Sequence, residues 1–289
     1  MKIAIIGAGE FGQALSSAIH SPVVLYDNNP QSPYYQPSLD TIVKDAGVIF
    51  YCLPSNALRQ SLRATIPLLK PRTILVAIAK GLEPDSGKTT AKVLEEESNK
   101  HSWALLHGPI LAEEIAQGMP TQAVLASKKK TAAKKVSSLF KPPLTSVITS
   151  DTAGVAWAGA LKNIYALAFG MADGLGWGMN AKGMLLVQAV KEMTEIGLKM
   201  GGKKQTFLGL AGLGDLTATA FSQHSRNRKV GEELAKTGAC CLPSEGVQAL
   251  DLLSKHLPDI AGFPLLQKIT SITKGQPANS LEQVTHEIK

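Results

Sequence analysis

The sequence contains few residues of the kinds that mark disulfide-bonded, metal-binding or membrane-spanning proteins. Only three of its 289 residues are cysteines, Cys52, Cys240 and Cys241, and two of them are adjacent. This is not a disulfide framework, so we expect reduced thiols and a cytoplasmic location. The six histidines lack the spacing of metal ligands, which predicts no metal site. Because no apolar run is long enough to cross a bilayer, we expect no membrane association.

Acidic residues are fewer than basic ones, and the net charge is +7. The densest basic run, at positions 128–130 and 134–135, has no aromatic residues among its lysines and precedes a predicted surface helix. It is typical of a solvated face, so we expect no nucleic-acid partner. The positive balance fits small anionic ligands instead.

The first half of the chain alternates apolar strand-like runs with helical patterns. Continuous apolar runs indicate strands buried on both faces of a mainly parallel sheet. The fold class is therefore predicted as α/β, with an N-terminal doubly wound, Rossmann-like sheet over residues 1–150. Between Asp27 and Asp45 we predict only a loop and one short helix. The predicted strands are Lys2–Ile6, Pro22–Tyr26, Gly47–Leu53, Thr73–Ala79, Trp103–His107, Gln122–Ala126 and Ser146–Ile148.

The second half, residues 151–289, is predicted to be a separate all-helical domain. Residues 151–201 form two long apolar helical patterns separated by the glycine-rich segment Gly174–Gly178. Further helical patterns follow at 226–236, 245–256, 263–273 and 280–288. With 44% hydrophobic residues in the chain, two cores are expected at this length.

A glycine-rich motif indicates a dinucleotide site. Gly7, Gly9 and Gly12 follow a strand directly and open a helix that includes Glu10 and Phe11. Such glycines allow a tight turn, close approach of a pyrophosphate, and close packing of helix on strand. Asp27 ends the second strand, where a carboxylate binds a ribose 2′-hydroxyl and repels a 2′-phosphate. We therefore expect NAD as cofactor, with NADP left open.

Two lysines are candidates for chemistry. Lys162 lies in an otherwise apolar helix beside Asn163, where an ammonium is costly unless it is paired. The alternative is a lysine that extends to the surface. Lys80 follows a strand, at the edge of the sheet where ligands bind in open α/β folds, and an exposed strand-end lysine is its alternative.

A second glycine-rich turn and a basic helix start complete the candidates. Asp215 follows Gly212 and Gly214, and by itself could be a helix N-cap. Ser225 could cap the helix that opens with Arg226. An arginine at a helix start is unfavourable unless an anion such as phosphate also binds there, although two exposed arginines are common.

Together these segments resemble the bacterial NAD(P)-dependent glycerol-3-phosphate dehydrogenases. The resemblance runs from Gly7 to about Leu250 and rests on GAGEFGQAL, AIAKGLEP, GPILAEEIAQGMPT, LKNIYALAFGMADGLGWGMNAK, TFLGLAGLGDLTAT, SRNRKVGEEL and SEGVQAL. It implies interconversion of sn-glycerol 3-phosphate and dihydroxyacetone phosphate, which supplies phospholipid synthesis. A phosphorylated small molecule is the expected partner, and a homodimer remains one open alternative for the assembly.

The resemblance also implies roles for individual residues. Lys162 would be the general acid/base, Lys80 would polarise or orient the carbonyl, and Asn163 and Asp215 would complete the catalytic group. The implied substrate contacts are Lys80, Gly108, Thr219, Ser225, Arg226 and Asn227, with Arg226 on the phosphate. The implied cofactor contacts beyond the glycine turn and Asp27 are Phe11, Ala112, Arg226 and Glu245.

The chain departs from the family pattern at two positions. Ile110 replaces a serine or threonine, and Gln188 replaces an arginine. Two alternatives stay open. One is a related two-domain reductase of a keto acid or imine, because such enzymes share the N-terminal fold. The other is a catalytically inactive NAD(H)-binding protein, which the two departures permit.

Overall fold

A seven-stranded sheet forms the first half of the protein in a computed structural model, which describes residues 1–240 and 242–287. The strand order is β2-β1-β3-β4-β5-β6-β7, and every neighbouring pair is parallel except β5 with β6. The strands are β1 (Lys2–Ile6), β2 (Val23–Tyr26), β3 (Ala46–Tyr51), β4 (Ile74–Ala77), β5 (Ser102–His107), β6 (Thr121–Ala126) and β7 (Leu144–Thr149).

The helices of this half connect the strands, and apolar cores lie on the two faces of the sheet. Their bounds are α1 (Glu10–Ser17), α2 (Asp40–Val43), α3 (Ser55–Thr65), α4 (Thr90–Glu97), α5 (Ala112–Ala116) and α6 (Lys130–Ser137), with a 3₁₀ turn at Ile66–Leu68. Between β2 and β3 the chain forms a loop with one isolated bridge, Asp27 to Tyr35, and the four-residue α2.

The second half is helical and is built around one buried helix. Its elements are α7 (Thr152–Gly174), α8 (Met179–Lys199), α9 (Lys204–Leu208), a π-helical turn (Leu210–Gly214), α10 (Asp215–Phe221), α11 (Arg226–Thr237), α12 (Glu245–Leu253), α13 (Pro264–Thr273), a 3₁₀ turn (Ala278–Leu281) and α14 (Glu282–Glu287). Helix α7 is apolar on all sides, as expected of a helix enclosed by other elements. Asp151 caps it by accepting a 2.9 Å hydrogen bond from the Gly154 N–H.

The predicted fold class is confirmed: a parallel-dominated sheet followed by helices. Two features were not predicted. The antiparallel β5–β6 pair arises because the intervening segment contains only the five-residue α5, which is too short to carry the chain back across the sheet. The π-helical turn has no hydrophobic periodicity from which it could be predicted. Cys52 is a free thiol, Cys240 Sγ donates to Glu233 Oε2 at 2.9 Å, and Cys241 lies outside the described residues.

No helix in the described part of the chain has the length and apolarity needed to cross a bilayer. Among residues 1–240 and 242–287, the structure also contains no group of three or more histidine, cysteine or acidic side chains arranged to hold a metal ion.

Helices α7 and α11 pack backbone to backbone at Gly170. A Cβ atom there would lie 1.8 Å from the carbonyl oxygen of Arg228. We expect Gly170→Ala to lower the free energy of unfolding by about 3 kcal/mol, because the helices must separate. Urea denaturation measures this change. The control is Gly183→Ala at an exposed position of α8, where a Cβ meets nothing within 4 Å; it should stabilise by about 0.5 kcal/mol. Equal effects of the two alanines would contradict the tight crossing.

Candidate functional site

The glycine turn after β1 has the shape of a phosphate cradle. Gly7 has φ +95°, and a Cβ there would lie 2.3 Å from the carbonyl oxygen of Cys52. At Gly12 a Cβ would lie 2.1 Å from the Gly7 carbonyl oxygen, whereas at Gly9 it would meet nothing within 4 Å. Gly7 and Gly12 thus permit the close packing, and Gly9 faces open space at the start of α1. The turn therefore fits a pyrophosphate at a helix N-terminus.

Asp27 closes this turn from the end of β2. Its carboxylate accepts the backbone N–H of Ala8 at 3.1 Å and that of Asn29 at 2.9 Å. A cavity of about 410 Å³ opens beside it, and within the described part of the chain no lysine or arginine lines it. An adenosine with a free ribose 2′-hydroxyl fits this lining better than one carrying a 2′-phosphate. The lining residues are Ile6, Gly7, Tyr26, Asp27, Asn28, Leu39, Leu53, Pro54, Ala57, Gln60, Ser61 and Ala64.

Two lysines share one buried carboxylate at the carboxyl edge of the sheet. Lys162 Nζ donates to Asp215 Oδ1 at 2.8 Å, and Lys80 Nζ donates to Asp215 Oδ2 at 2.6 Å. Lys80 also donates to the carbonyl oxygen of Gly108 at 2.9 Å. The side chains of Lys80, Lys162 and Asp215 are only 16%, 8% and 2% exposed. Lys162 is thus a paired, buried lysine and does not extend to the surface.

The π-helical turn places Asp215 between the lysines. It leads directly into α10, whose first residue is Asp215. One turn later, Thr219 donates its hydroxyl to the Asp215 carbonyl at 2.7 Å and accepts from Lys162 Nζ at 2.7 Å. Asp215 is therefore not an N-cap, because its side chain is used by the lysines. Such π turns recur at functional sites.

Burial and charge set the protonation of this cluster. Burial lowers the pKa of the Lys80 ammonium to about 8; Asp215 opposes this fall only in part, and Lys162 adds to it. Burial alone would raise the pKa of Asp215, but the two lysines outweigh it and hold that pKa below its usual value. The protonated cluster carries one net positive charge, which suits an anion or a developing alkoxide.

A cleft of about 250 Å³ joins this cluster to the glycine turn. Its lining residues are Phe11, Cys52, Leu53, Ile78, Ala79, Lys80, Ile110, Lys162, Asn163 and Glu245. Ile110 gives the cleft an apolar wall at the position where the family pattern has the hydroxyl of a serine or threonine. Gln188 lies elsewhere, buried on α8, and donates to Glu192 Oε1 at 2.8 Å.

Helices α11 and α12 bring further candidates to the lysine helix. Asn163 Nδ2 donates to Glu245 Oε2 at 3.0 Å. The Asn227 side-chain oxygen accepts from Ser244 Oγ at 2.9 Å and from the Gly246 N–H at 3.1 Å, which holds the start of α12 against the start of α11.

The remaining predicted residues lie around this assembly. Ser225 caps α11 by accepting the Arg228 N–H at 3.3 Å, as predicted, and Arg226 is exposed at the first position of that helix. Glu10 is exposed at the start of α1, and Ala112 begins α5, which packs against α1. Arg226, Ser225 and Ala112 do not line the cleft itself.

Sequence reasoning missed two buried ionisable residues. His107, fully buried at the end of β5, contacts the backbone carbonyl of Ala79, the residue before Lys80, and that of Val155 on α7. Glu192 accepts from the Tyr165 hydroxyl and from the N–H groups of Leu265 and Leu266 at the start of α13, and burial raises its pKa. His107 has only the signal of a polar residue at the end of an apolar run, and Glu192, which follows Lys191, has no local signal.

Comparison with known proteins identifies the relatives of this chain. Residues 28–133 match the model of the NAD-dependent glycerol-3-phosphate dehydrogenase N-terminus, and residues 151–281 match that of its C-terminus. Glycerol-3-phosphate dehydrogenase [NAD(P)+] of Desulfitobacterium hafniense is 38% identical over 81% of this chain and 74% of the relative. That of Moorella thermoacetica is 38% identical over 81% and 78%. The crystal structure of glycerol-3-phosphate dehydrogenase from Coxiella burnetii covers 99% of this chain and 98% of its own, with TM-score 0.86 and 27% identity.

Proposed function

The chain belongs to the NAD-dependent glycerol-3-phosphate dehydrogenase family, and from this premise we propose that it interconverts sn-glycerol 3-phosphate and dihydroxyacetone phosphate. The observation that carries the proposal is the Lys80–Asp215–Lys162 cluster, which opens into a cleft reaching the glycine turn. We also propose a division into a nucleotide-binding domain, residues 1–150, and a catalytic domain, residues 151–289. We propose a cytoplasmic location because the few cysteines do not form a disulfide framework. We propose a role in phospholipid precursor supply because the reaction yields glycerol 3-phosphate.

The proposed cofactor site uses Gly7, Gly9, Glu10 and Gly12 at the pyrophosphate and Asp27 at the ribose. Phe11, Ala112, Arg226 and Glu245 are the further contacts proposed for it. When bound, the nicotinamide supplies the hydride for carbonyl reduction or accepts it in the reverse direction. The carboxylate of Asp27 favours NAD over NADP.

The lysine cluster does the remaining chemistry. Reduction of a ketone generates negative charge on the carbonyl oxygen, and a cation placed there stabilises it. We assign Lys162 as the acid that donates a proton to this oxygen and Lys80 as the cation that orients and polarises it. Asp215 keeps both ammonium groups in place, and Thr219 fixes the direction of Lys162. Asn163 holds Glu245 at the edge of the cleft.

The phosphate of the substrate is proposed to bind at the start of α11. Arg226 and the positive end of the helix dipole supply positive charge there, next to Ser225 and Asn227. Gly108, whose carbonyl holds Lys80, completes the substrate contacts. Binding energy from the phosphate would position the reacting carbon.

The test follows absorbance at 340 nm with dihydroxyacetone phosphate and either NADH or NADPH. Rapid NADH oxidation that requires the phosphate group is the expected result. A clear preference for NADPH would keep the reaction and contradict the role of Asp27. No oxidation with either cofactor, in protein that binds NADH, would overturn the proposed reaction and favour the inactive NAD(H)-binding alternative.

Arg226→Ala separates the proposal from a keto acid or imine reductase. We expect kcat/KM for dihydroxyacetone phosphate to fall about 100-fold, because a charge-assisted contact to phosphate is lost. The matched control is Arg72→Ala, an exposed arginine in the turn before β4, which should leave kcat/KM unchanged. If the two substitutions have equal effects, the phosphate anchor lies elsewhere.

The rate of ketone reduction should fall as the pH rises through about 8, the pKa of Lys80. Below this pH Lys80 is a cation that can polarise the carbonyl, and above it the amine is neutral. In Lys80→Arg the side chain stays charged, because the pKa of a guanidinium group lies far above that of an ammonium group in this site. The descending limb of the kcat/KM profile should then move well above pH 8. An unmoved limb in the arginine variant would show that another group titrates there.

A further inference from the structure

His107 is a buried histidine to which the proposed mechanism gives no role. It is the last residue of β5 and is completely inaccessible to solvent. Its Nε2 lies 3.0 Å from the carbonyl oxygen of Ala79, the residue before Lys80. Its Nδ1 lies 3.1 Å from the carbonyl oxygen of Val155, two turns before Lys162 on α7. The ring thus lies between the two segments that carry the lysines.

The imidazole of His107 is closely packed between α7 and Lys80. At Gly159, one turn before Lys162, a Cβ would lie 2.9 Å from His107 Nδ1 and 3.2 Å from Lys80 Cβ. Lys80 Nζ in turn donates to the carbonyl of Gly108, the residue after His107. A shift of the imidazole would therefore act on Ala79, the residue before Lys80, and on Gly108, whose carbonyl accepts from Lys80 Nζ.

Both ring nitrogens face acceptors, although a neutral imidazole has a single N–H. Burial lowers the pKa of His107 to about 4, and the positive charge of Lys80 adds to the fall. At neutral pH the ring can therefore donate to only one of the two carbonyls, and the Ala79 carbonyl also accepts from the Thr90 hydroxyl at 2.8 Å. Donation to Ala79 connects the ring to the strand end that carries Lys80. The unprotonated Nδ1 then lies 3.1 Å from the Val155 carbonyl oxygen on α7 and makes no hydrogen bond to it.

We propose that His107 is a positioning residue that donates its Nε2–H to Ala79 and holds Lys80 at its distance from α7, so that both lysines reach Asp215. This inference rests on the proposed function for its catalytic consequence only. The geometric consequence, the placement of Lys80 Nζ against Asp215, does not depend on which substrate is reduced.

Three substitutions test the donor and its position. His107→Phe keeps a ring but removes the N–H, His107→Gln places an amide N–H near the Nε2 position, and His107→Asn places one near Nδ1. We expect His107→Phe to lower kcat about 10- to 100-fold, as small displacements of reacting groups do, with NADH affinity unchanged. His107→Gln should recover kcat to within about threefold, and His107→Asn should not.

The matched control is His101→Phe. His101 Nδ1 lies 3.1 Å from the carbonyl oxygen of Thr73. This is also a contact between an imidazole and a backbone carbonyl, but it lies at the opposite end of β4 and β5. This variant should show a lower melting temperature but the parent kcat. A purely structural role for His107 predicts that the two phenylalanine variants behave alike in kcat.

Crystal structures of His107→Phe and His107→Gln give a second readout. We expect Lys80 Nζ to leave Asp215 in the phenylalanine variant and to keep its contact in the glutamine variant. Unchanged Lys80 contacts in His107→Phe, or equal kcat values for His107→Gln and His107→Asn, would overturn the proposal. If the parent protein fails to reduce dihydroxyacetone phosphate, the proposed function fails, and the two crystal structures still decide the role of His107.

Discussion

Lys162→Met should lower kcat for dihydroxyacetone phosphate reduction by about 10²- to 10⁴-fold, the range in which general acids contribute. Methionine has nearly the length of lysine and suits the apolar surroundings of α7, so the variant should fold. It removes the proton donor and one of the two ammonium groups that hold Asp215. Because Lys80 remains bound to Asp215, the substrate should still be oriented, and the loss should appear in kcat more than in KM.

The matched control is Lys191→Met, an exposed lysine on the neighbouring helix α8. It should retain the parent kcat. Titration of NADH fluorescence checks that both variants bind the cofactor, since the glycine turn is untouched. A Lys162→Met enzyme that keeps more than about a tenth of the parent kcat would exclude Lys162 as the general acid.

Asp215→Asn should impair both stability and turnover. The carboxylate is 2% exposed and neutralises one of two ammonium charges that lie close together. Removing one partner from a buried ionic group usually costs about 3–5 kcal/mol of unfolding free energy, because the remaining charges are left uncompensated. Asp215 also raises the pKa of Lys80, so its loss should lower that pKa below about 8. Lys80 should then be neutral at neutral pH.

Two measurements check this expectation: chemical denaturation, and the pH profile of kcat/KM. The descending limb should move to lower pH in Asp215→Asn. The control is Asp173→Asn, because Asp173 also lies between two cations, Lys182 and Arg228, in the same helical half. It should lose some stability and keep the limb near pH 8. An unchanged pH profile in Asp215→Asn would disprove the coupling between this carboxylate and Lys80.

Much of the fold follows from local sequence patterns. The apolar runs predicted all seven strands to within a few residues. The central strands are apolar because they are buried on both faces, whereas the edge strands β2 and β7 are only partly buried. The all-apolar pattern of α7 predicted its burial for the same reason. The antiparallel β5–β6 pair was not predicted, since strand direction depends on where the connection lies in space. The π-helical turn was also missed, because glycine-rich segments are compatible with several turn types.

The sequence by itself determined the parts of this protein that depend on neighbours along the chain. These are the glycine turn with Asp27 one strand later, the capped start of α11 at Ser225, and a lysine within an apolar helix. Each of these features can be predicted from the sequence, because hydrophobic periodicity, helix caps and turns depend on residues only a few positions apart.

Only the tertiary structure decided how the candidate site is assembled. Lys80 and Asp215 are 135 positions apart, and Lys162 and Asp215 are 53 apart, so no local pattern predicts that one carboxylate serves both lysines. The lowered pKa of Lys80 and the place of His107 between Ala79 and Val155 have the same origin. Burial and the distance between charges set these properties, and both arise only when distant segments pack together.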